Sequence, residues 1–431
     1  MRLYLKNIGK IKKADIKING ITVLAGENDT GKSTVGKVLY SFFMSFHDLE
    51  QKIRTERIES MTNLLLKEIR DSSEGMNYPI YRAQFYLDGV FEEIVRFIEE
   101  NGLQALDEEV LKDMFATGFS GSPEERRGIL GELDYANINH RIISIMSIAP
   151  IELSRFIFTK ALQVELNEQI NNIFNKDPGL ILLDISGREY KSVVEDNKVV
   201  SISDTIDLFT DVVYIDDPYV LDESFRPPSF IFDSGIRSHR HDLRIKLSAY
   251  DSKQNLIDEV LTEMKLDEIM AKLNTICSGE IIRNRKTMTY SMGDGDKFLD
   301  VRNLSMGLKT FVILKTLLLK GIIEEEGTVI MDEPEIHLHP EWQVRLAELI
   351  VLIQKNFGLH VLITTHSPYF LNAIEVFSKI HGISDKCHYY LASVDAMEYA
   401  TIEEVTDHVE LIYKKLAKPF QELKNMRYQD E

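Results

Sequence analysis

One short segment, Gly26–Thr34, constrains the fold more than any other part of the chain. Its sequence, Gly-Glu-Asn-Asp-Thr-Gly-Lys-Ser-Thr, fits the pattern G-x-x-x-x-G-K-[ST]. The apolar run Gly20–Ala25 before it predicts a buried strand, and a helical pattern begins at Lys32. A glycine-rich loop between a strand and a helix surrounds phosphate with backbone N–H groups. The segment therefore predicts an α/β fold that holds a nucleotide.

The residue types in this loop predict its ligands, which are the phosphates of a nucleotide and Mg²⁺. The lysine, Lys32, is expected to bridge the β- and γ-phosphate oxygens, and the hydroxyl of Ser33 is expected to bind the metal ion. Asp29 stands where glycine is more usual, and aspartate tolerates the left-handed backbone region better than most residues. The predicted nucleotide-binding residues are Gly26, Glu27, Asn28, Asp29, Thr30, Gly31, Lys32, Ser33 and Thr34.

A second segment supplies two carboxylates. The apolar run Thr328–Met331 predicts a strand, and Asp332 and Glu333 follow it directly. Ligands of parallel sheets bind at this carboxyl edge. We expect Asp332 to hold Mg²⁺ through water and Glu333 to polarise the attacking water. Acidic residues that only end a strand are the alternative, which is weaker beside a phosphate loop.

Two further elements can complete a nucleotide site. Ser305 precedes a predicted helix, and Gly307 follows closely, so bare N–H groups and a hydroxyl are offered to an anion. A serine in this position is more often only a helix cap. His366 ends the strand Val361–Thr365, where its imidazole can reach a γ-phosphate. Lys309 joins Ser305 and Gly307 as a binding candidate, and the predicted catalytic residues are Lys32, Glu333 and His366.

These four blocks, in this order, resemble the ATP-binding-cassette ATPases of the structural-maintenance-of-chromosomes (SMC) and overcoming-lysogenisation-defect (OLD) type. The segments Asp-Glu-Pro-Glu-Ile-His-Leu-His-Pro (332–340) and Thr-Thr-His-Ser-Pro (364–368) look like the ATPase half of OLD-type bacterial defence proteins. The resemblance covers residues 1–45 and 180–410. It identifies 26–34 with Walker A, 304–309 with the signature loop, 329–333 with Walker B and His366 with the switch histidine.

The expected fold class is α/β, a two-lobed ABC-type P-loop ATPase head with a helical insertion. Residues 1–55 are predicted to form the first part of the head, with Walker A. Residues 56–178 carry apolar side chains at helical spacing, broken by glycines, and predict the insertion. Residues 179–431 are predicted to complete the head with the signature loop, Walker B and the switch histidine.

Charge and cysteine usage exclude several classes of protein. The net charge of −19 is too acidic for a surface that coats DNA, because phosphate contacts need clustered cations. The two cysteines, Cys277 and Cys387, cannot make a disulfide framework, and no Cys-x-x-Cys occurs. We therefore expect a cytoplasmic protein without a structural zinc site.

The sequence also argues against a membrane protein. The most apolar stretch, Phe311–Ile323, contains two lysines and a glycine. It is shorter than the ~20 apolar residues that span a bilayer. The first residues lack the apolar run of a signal peptide. We expect no membrane association.

One basic run stands out in this acidic chain. It comprises Arg237, His239, Arg240, His241, Arg244 and Lys246. A solvated helix face is the simpler interpretation, and a local basic groove for DNA or an acidic partner is the alternative. The same two interpretations apply to Arg283, Arg285 and Lys286.

The resemblance implies a function and partners. The signature loop normally completes the nucleotide site of a second subunit, so an ATP-dependent homodimer or higher oligomer is expected. Residues 389–431 lack the acidic pattern of a Toprim nuclease. The leading hypothesis is an ATPase that acts as sensor or regulator in anti-phage defence and controls a separate effector, a nuclease or toxin. The alternatives are a DNA-repair or chromosome-maintenance ATPase that clamps duplex DNA, and a slow-hydrolysing assembly scaffold.

Overall fold

The chain divides into two compact units in a computed structural model. The structure describes residues 1–72, 80–118, 130, 133–223, 236–248, 256–284, 287–292 and 297–429. The head comprises Met1–His47 and Ile157–Glu431, and the helical unit comprises Asp48–Phe156. The nucleotide-binding motifs predicted from the sequence all belong to the head.

The described residues contain fourteen strands and thirteen α-helices. The strands are β1 Arg2–Ile8, β2 Ile11–Lys17, β3 Ile21–Gly26, β4 Gly179–Ile185, β5 Arg188–Glu195, β6 Lys198–Ile202, β7 Val212–Ile215, β8 Glu280–Asn284, β9 Thr287–Met292, β10 Lys297–Asp300, β11 Thr328–Asp332, β12 His360–Thr365, β13 Cys387–Val394 and β14 Ala400–Glu404. The helices are α1 Lys32–Phe46, α2 Leu49–Ser72, α3 Ile80–Asn101, α4 Glu108–Gly118, α5 Tyr135–Met146, α6 Pro150–Glu165, α7 His239–Ser248, α8 Leu256–Ile276, α9 Met306–Leu319, α10 Pro340–Phe357, α11 Pro368–Ile380, α12 Glu410–Leu416 and α13 Lys418–Gln429.

An eleven-stranded mixed sheet organises the head, in the order β6-β5-β4-β1-β2-β14-β13-β3-β12-β11-β7. Its longest parallel run is β13-β3-β12-β11-β7, and β14 also pairs parallel with β2. Strands β3, β7 and β11 are buried almost throughout, as expected for parallel strands that are covered on both faces. The outer strands β6-β5-β4-β1-β2 pair antiparallel and alternate buried with exposed residues. A second sheet, β10-β9-β8, completes the two-lobed α/β head, and the predicted fold class is confirmed.

Helix α1 packs closely on the parallel strands because it carries a glycine at the contact. A Cβ atom on Gly36 would lie 3.1 Å from Ile330 Cγ2 and 3.2 Å from the Tyr214 ring. Farther along α1, the ring of Phe42 contacts Phe158 of α6 edge-on at 5.7 Å. The loop that begins α1 is thereby fixed at the carboxyl edge of β3.

The helical unit has its own apolar core. The rings of Phe91 and Phe115 meet edge-on with centroids 5.7 Å apart, and Ile94, Leu111 and Ile142 are fully buried with them. This helical character agrees with the predicted insertion, although the division lies at 48 and 156 instead of 56 and 178.

The boundaries differ for a packing reason. Helix α2 already begins at Leu49, before the expected start of the insertion. At the other end, Phe158 packs on Phe42, and the backbone of Ile170 accepts a hydrogen bond from Gly9 of the β1–β2 turn. Apolar helical spacing alone does not reveal which core a helix joins.

No single helix among the described residues has both the length and the apolar character that crossing a membrane requires. The bent pair α5 and α6 meets these criteria of length and composition only when the two helices are taken together.

We expect Gly36→Leu to destabilise the head, by about 1–3 kcal/mol or more, because the side chain must enter the filled space against Ile330 and Tyr214. Thermal unfolding followed by circular dichroism measures the effect. Gly89→Leu is the matched control, since a Cβ atom there meets nothing within 4 Å. Equal melting temperatures for the two variants would contradict the close packing of α1.

Candidate functional site

The phosphate-loop segment lies where the sequence predicts it, between β3 and α1. Asp29 has φ 61° and Gly31 has φ 79°, so both lie in the left-handed region. The aspartate therefore adopts the conformation for which its tolerance was inferred. A Cβ atom on Gly31 would lie 2.9 Å from Ile11 Cγ1, so this glycine is also required by packing against the β1–β2 turn.

Lys32 is 4% exposed and its ammonium group is held inside the loop. Its Nζ atom donates hydrogen bonds to the carbonyls of Gly26 (3.1 Å) and Glu27 (2.7 Å). Burial lowers the pKa of Lys32, and the nearby carboxylates of Glu333 and Asp332 oppose that shift. The loop thus presents a cation whose position is fixed before any ligand binds.

Asp332 joins three strands and the loop through its carboxylate. Its Oδ1 atom accepts hydrogen bonds from the hydroxyls of Ser33 (3.1 Å) and Thr364, and its Oδ2 atom accepts one from the Tyr214 hydroxyl at 3.1 Å. A carboxylate beside a hydroxyl is the hard oxygen donor set that Mg²⁺ prefers. Ser33 and Asp332 therefore fit the metal role predicted for them.

Glu333 is held in a strained backbone conformation. Its φ is 50°, and its N–H group donates to the carbonyl of Thr364 (3.2 Å) and to the Thr364 hydroxyl (3.0 Å). Left-handed conformations of such residues persist only where neighbouring contacts enforce them, and they cluster at functional sites. The turn directs the carboxylate away from the strand.

The Glu333 carboxylate faces the imidazole of His366 and the ammonium group of Lys32. Its Oε1 atom lies 3.4 Å from His366 Nδ1 and 4.0 Å from Lys32 Nζ. The interaction with His366, and then the charge of Lys32, lower the pKa of Glu333 despite its partial burial. Reciprocally, the Glu333 carboxylate raises the pKa of His366. The arrangement keeps Glu333 ionised and able to accept a hydrogen bond from water.

Glu335 is a buried carboxylate to which the sequence analysis gave no role. Its Oε1 atom accepts hydrogen bonds from the Thr365 hydroxyl and from the backbone N–H of His366 (3.2 Å). Burial raises its pKa, against the effect of these bonds. The side chain fixes the turn that carries His366. Its presence in the Asp-Glu-Pro-Glu segment was the signal that could have identified it.

A cavity of about 470 Å³ lies against the loop. Lys32, Ser33 and Glu333 line one part of it. The β1–β2 turn and the loop after α6 line the rest, through Gly9, Lys10, Asn167, Gln169 and Ile173. The sequence analysis missed these residues because no motif marks them.

The three signature-loop candidates do not line this cavity. Ser305 caps α9, and its hydroxyl accepts from the N–H of Leu308 at 3.4 Å. A Cβ atom on Gly307 would lie 3.1 Å from Leu338 Cδ2, so the glycine allows close packing. Lys309 is 1% exposed and pairs with Asp222. Of the three, only Ser305 is an exposed residue.

The basic run is neutralised by acidic residues of the head. Ion pairs join Arg240 to Asp216 (2.7 Å), Arg244 to Glu223 (3.1 Å), and Lys246 to Asp211 (2.8 Å) and Asp242 (2.7 Å). The run is therefore an ion-paired and mostly half-buried helix face, in which only Arg240 is exposed, and not the solvated face of the simpler interpretation. Arg285 and Lys286 lie outside the described residues, as does the side chain of Arg283.

His239 is the buried member of the run. Its Nδ1 atom lies 2.6 Å from Glu165 Oε2, and its Nε2 atom lies 3.1 Å from Asp216 Oδ2. Burial alone would lower the pKa of His239, but Asp216 and Glu165 outweigh it and raise the pKa to about 9. Both ring nitrogens face carboxylates, which favours the imidazolium form. Its ring also packs against Tyr214, with centroids 4.3 Å apart.

We expect the protonated His239 to stabilise the head by on the order of 1–3 kcal/mol. Because its folded pKa of about 9 exceeds the ordinary 6.5, this contribution is complete below pH 6.5 and is lost as the pH rises through about 9. Melting temperatures between pH 6.5 and 9.5 measure it. His239→Gln should flatten that dependence, whereas His408→Gln, at an exposed site, should not. A variant of His239 with an unchanged pH slope would contradict the assignment.

The chain is similar in part of its length to a curated protein of bacterial origin. Over 181 residues the chain is 25% identical to the Septu protein PtuA of Bacillus thuringiensis, a match that covers 36% of this chain. The match covers 44% of that relative, so the chain spans less than half of the relative's length.

Among solved structures, the chain is similar to three SMC heads. The SMC head domain from Thermotoga maritima is 11% identical, with a TM-score of 0.36, over 94% of this chain and 98% of that one. An SMC head bound to the C-terminal winged-helix domain of ScpA gives 12% and 0.41, over 95% and 98%. A head with an extended coiled coil, bound to the C-terminal domain of ScpA from Pyrococcus furiosus, gives 10% and 0.34, over 99% and 98%. TM-scores below 0.5 do not establish a shared fold.

The family assignment comes from the sequence match. Residues 1–371 match the family described as AAA ATPase domain, and this range contains the phosphate loop, the carboxylates Asp332 and Glu333 at the end of β11, and His366. That range is most of the chain. The protein belongs to the AAA ATPase domain family.

Proposed function

We propose that this protein binds and hydrolyses ATP, and that the ATP cycle controls a separate effector in bacterial anti-phage defence. The observation that carries the catalytic part is the meeting of Ser33, Asp332 and Glu333 at one sheet edge. Residues almost 300 positions apart in the chain converge there on the space beside Lys32.

Each residue at this edge has a separate task in hydrolysis. The N–H groups of the loop and the ammonium of Lys32 bind the phosphates, and Lys32 reaches the β- and γ-oxygens. Ser33 and Asp332 would hold Mg²⁺, which would supply positive charge beside the phosphate oxygens. Glu333 accepts a hydrogen bond from the attacking water, because its pKa is lowered and its carboxylate is ionised. His366 orients that carboxylate and lies ready to contact the γ-phosphate.

We propose that two copies of the chain assemble with ATP. Ser305 is exposed at the start of α9, and the N–H groups of the first turn of this helix have no partner within the helix. Such a terminus attracts an anion. Ser305 does not line the cavity of its own chain. The ligand that fits it is therefore a phosphate of the ATP molecule held by a second copy of the chain. A symmetric dimer would hold two ATP molecules in one interface.

Two observations support the defence setting. The segments 332–340 and 364–368 resemble those of OLD-type ATPases, and the partial similarity to the Septu protein PtuA points the same way. The effector would then be a separate nuclease or toxin. The ion pairs of the basic run weaken the alternative of a clamp on duplex DNA, because they occupy the cations that favoured it.

We expect Glu333→Gln to bind ATP with unchanged affinity and to lose turnover by at least about 100-fold, since water activation fails while Asp332 remains. Lys32→Ala should instead lose ATP binding. Phosphate release and calorimetric titration measure the two effects. Glu341→Gln, an exposed glutamate on α10, is the control and should behave as the unsubstituted protein. Full turnover by Glu333→Gln would remove Glu333 from the chemistry.

Assembly supplies a separate prediction. ATP should strengthen the dimer in the Glu333→Gln background, because a ligand bound across an interface stabilises the complex by mass action. Ser305→Arg should prevent this by adding bulk and charge at the contact. Ser384→Arg, at an exposed serine before β13, is the matched control. Sedimentation velocity with and without ATP measures the dimer dissociation constant. If neither ATP nor Ser305→Arg changes this constant, the dimer does not close around the nucleotide.

A further inference from the structure

We infer that His239 is a positioning residue for the metal-binding carboxylate of Asp332, and that it acts on this carboxylate through Tyr214. His239 begins α7, Tyr214 lies on β7, and Asp332 ends β11. Neither His239 nor Tyr214 lines the cavity beside the phosphate loop. The inference rests on the proposed function, because it concerns the ion that Ser33 and Asp332 would hold.

The Tyr214 hydroxyl holds one oxygen of the Asp332 carboxylate. It donates to Oδ2 at 3.1 Å, whereas the hydroxyls of Ser33 and Thr364 donate to Oδ1. The torsion that turns an aspartate carboxylate has a broad energy profile, so donors at both oxygens are needed to fix its plane. Burial raises the pKa of Tyr214 well above its ordinary value, which keeps the phenol a donor. Tyr214 therefore sets the orientation in which Asp332 would meet a metal ion.

Three neighbours pack around the ring of Tyr214. A Cβ atom on Gly36 would lie 3.2 Å from its Cε2 and hydroxyl oxygen atoms, and the ring of Tyr40 meets it edge-on with centroids 6.0 Å apart. The imidazole of His239 lies against the ring, with centroids 4.3 Å apart and planes 35° apart. Gly36 and Tyr40 both belong to α1, so His239 supplies the contact from a different element. Loss of the imidazole would free the tyrosine ring on that side, and its hydroxyl would lose a fixed direction.

His239 is itself fixed at both ring nitrogens and at its backbone N–H. Nδ1 lies 2.6 Å from Glu165 Oε2, and Nε2 lies 3.1 Å from Asp216 Oδ2. The backbone N–H donates to Glu165 Oε1 at 2.7 Å. Glu165 ends α6 and Asp216 directly follows β7, so two elements besides its own hold the imidazole. The imidazole thus has one orientation, which it imposes on the ring of Tyr214.

The composition of this cluster favours a positional role over a purely stabilising one. His239 is 8% exposed and Glu165 is 3% exposed, so two polar groups that carry charge lose their hydration. Well-packed apolar side chains often stabilise a core as well as a buried ion cluster does. An apolar side chain, however, has no polar atoms by which Glu165 and Asp216 could fix it. The cluster supplies an anchored ring beside Tyr214, and groups that orient a metal ligand raise metal affinity.

The test measures how nucleotide binding depends on Mg²⁺, with AMP-PNP, an ATP analogue that is not hydrolysed, as the ligand. Calorimetric titrations at a series of chelator-buffered free Mg²⁺ concentrations give the midpoint of this dependence. Tyr214→Phe removes the hydroxyl and keeps the ring. We expect it to raise the Mg²⁺ midpoint by about 10-fold or more. Its AMP-PNP affinity at saturating Mg²⁺ should stay near that of the unsubstituted protein, which also shows that the site is folded.

A double variant tests whether His239 acts through Tyr214. His239→Gln should raise the midpoint by about 2-fold or more, at the lower end of the coupling between residues in contact. In Tyr214→Phe, where the hydroxyl is absent, adding His239→Gln should not raise the midpoint further. Tyr40→Phe is the matched control and should keep the midpoint. Tyr40 is also fully buried beside both rings, but its hydroxyl donates to the carbonyl of Arg237 at 3.4 Å.

The other outcomes would overturn the inference at different levels. An unchanged midpoint in Tyr214→Phe or in His239→Gln contradicts it, and so does an equal shift in Tyr40→Phe, because repacking would then be the cause. Independent shifts from the two substitutions contradict it as well, since His239 would not act through the hydroxyl. A uniform loss of affinity at every Mg²⁺ concentration in Tyr214→Phe would replace it with a role in folding alone. Lack of binding, or binding independent of Mg²⁺, in the unsubstituted protein would overturn the proposed function, and this inference with it.

Discussion

The hydrogen bond between Ser33 and Asp332 is the contact on which the site depends. It can form only if β3 and β11 lie in one parallel sheet with β12 between them, so that their carboxyl ends meet at one edge. The glycine on α1 that touches Ile330 sets the distance from the helix to that edge. The order of the strands and the packing of α1 therefore together determine whether the Ser33 hydroxyl can reach the Asp332 carboxylate.

At the same sheet edge, further side chains hold Asp332, Glu333 and His366 in place through hydrogen bonds. The Tyr214 hydroxyl fixes Asp332, Thr364 fixes the backbone of Glu333, and Glu335 fixes the backbone of His366. Tyr214 and Thr364 lie on strands, and Glu335 lies in the turn that follows β11. Rigid strands position side chains more precisely than free loops, because their backbone is fixed by hydrogen bonds on both sides.

Sequence reasoning succeeded where chemistry depends on a short, contiguous pattern. The positions of the loop around Lys32 and of the carboxylates at the end of β11 follow from residue type and spacing, and the parallel core follows from apolar runs. The sequence did not reveal Tyr214, because its role arises from a contact with Asp332 that only the fold creates. The sequence analysis also placed Phe158 in the insertion and not in the head, because helical periodicity does not show against which surface a helix packs.

Charge explains why this edge needs so many fixed donors. Asp332, Glu333 and Glu335 stand within four residues, and the Lys32 ammonium and the His366 imidazole lie within 4.0 Å of the Glu333 carboxylate. A triphosphate approaching these carboxylates meets repulsion unless cations accompany it, because Coulomb energy is poorly screened in a partly buried site. Hydroxyl donors stabilise the carboxylates without adding charge, which leaves the oxygens of Asp332 available to a divalent ion. Under the proposed function, a site of this composition would favour the metal complex of ATP over the free nucleotide.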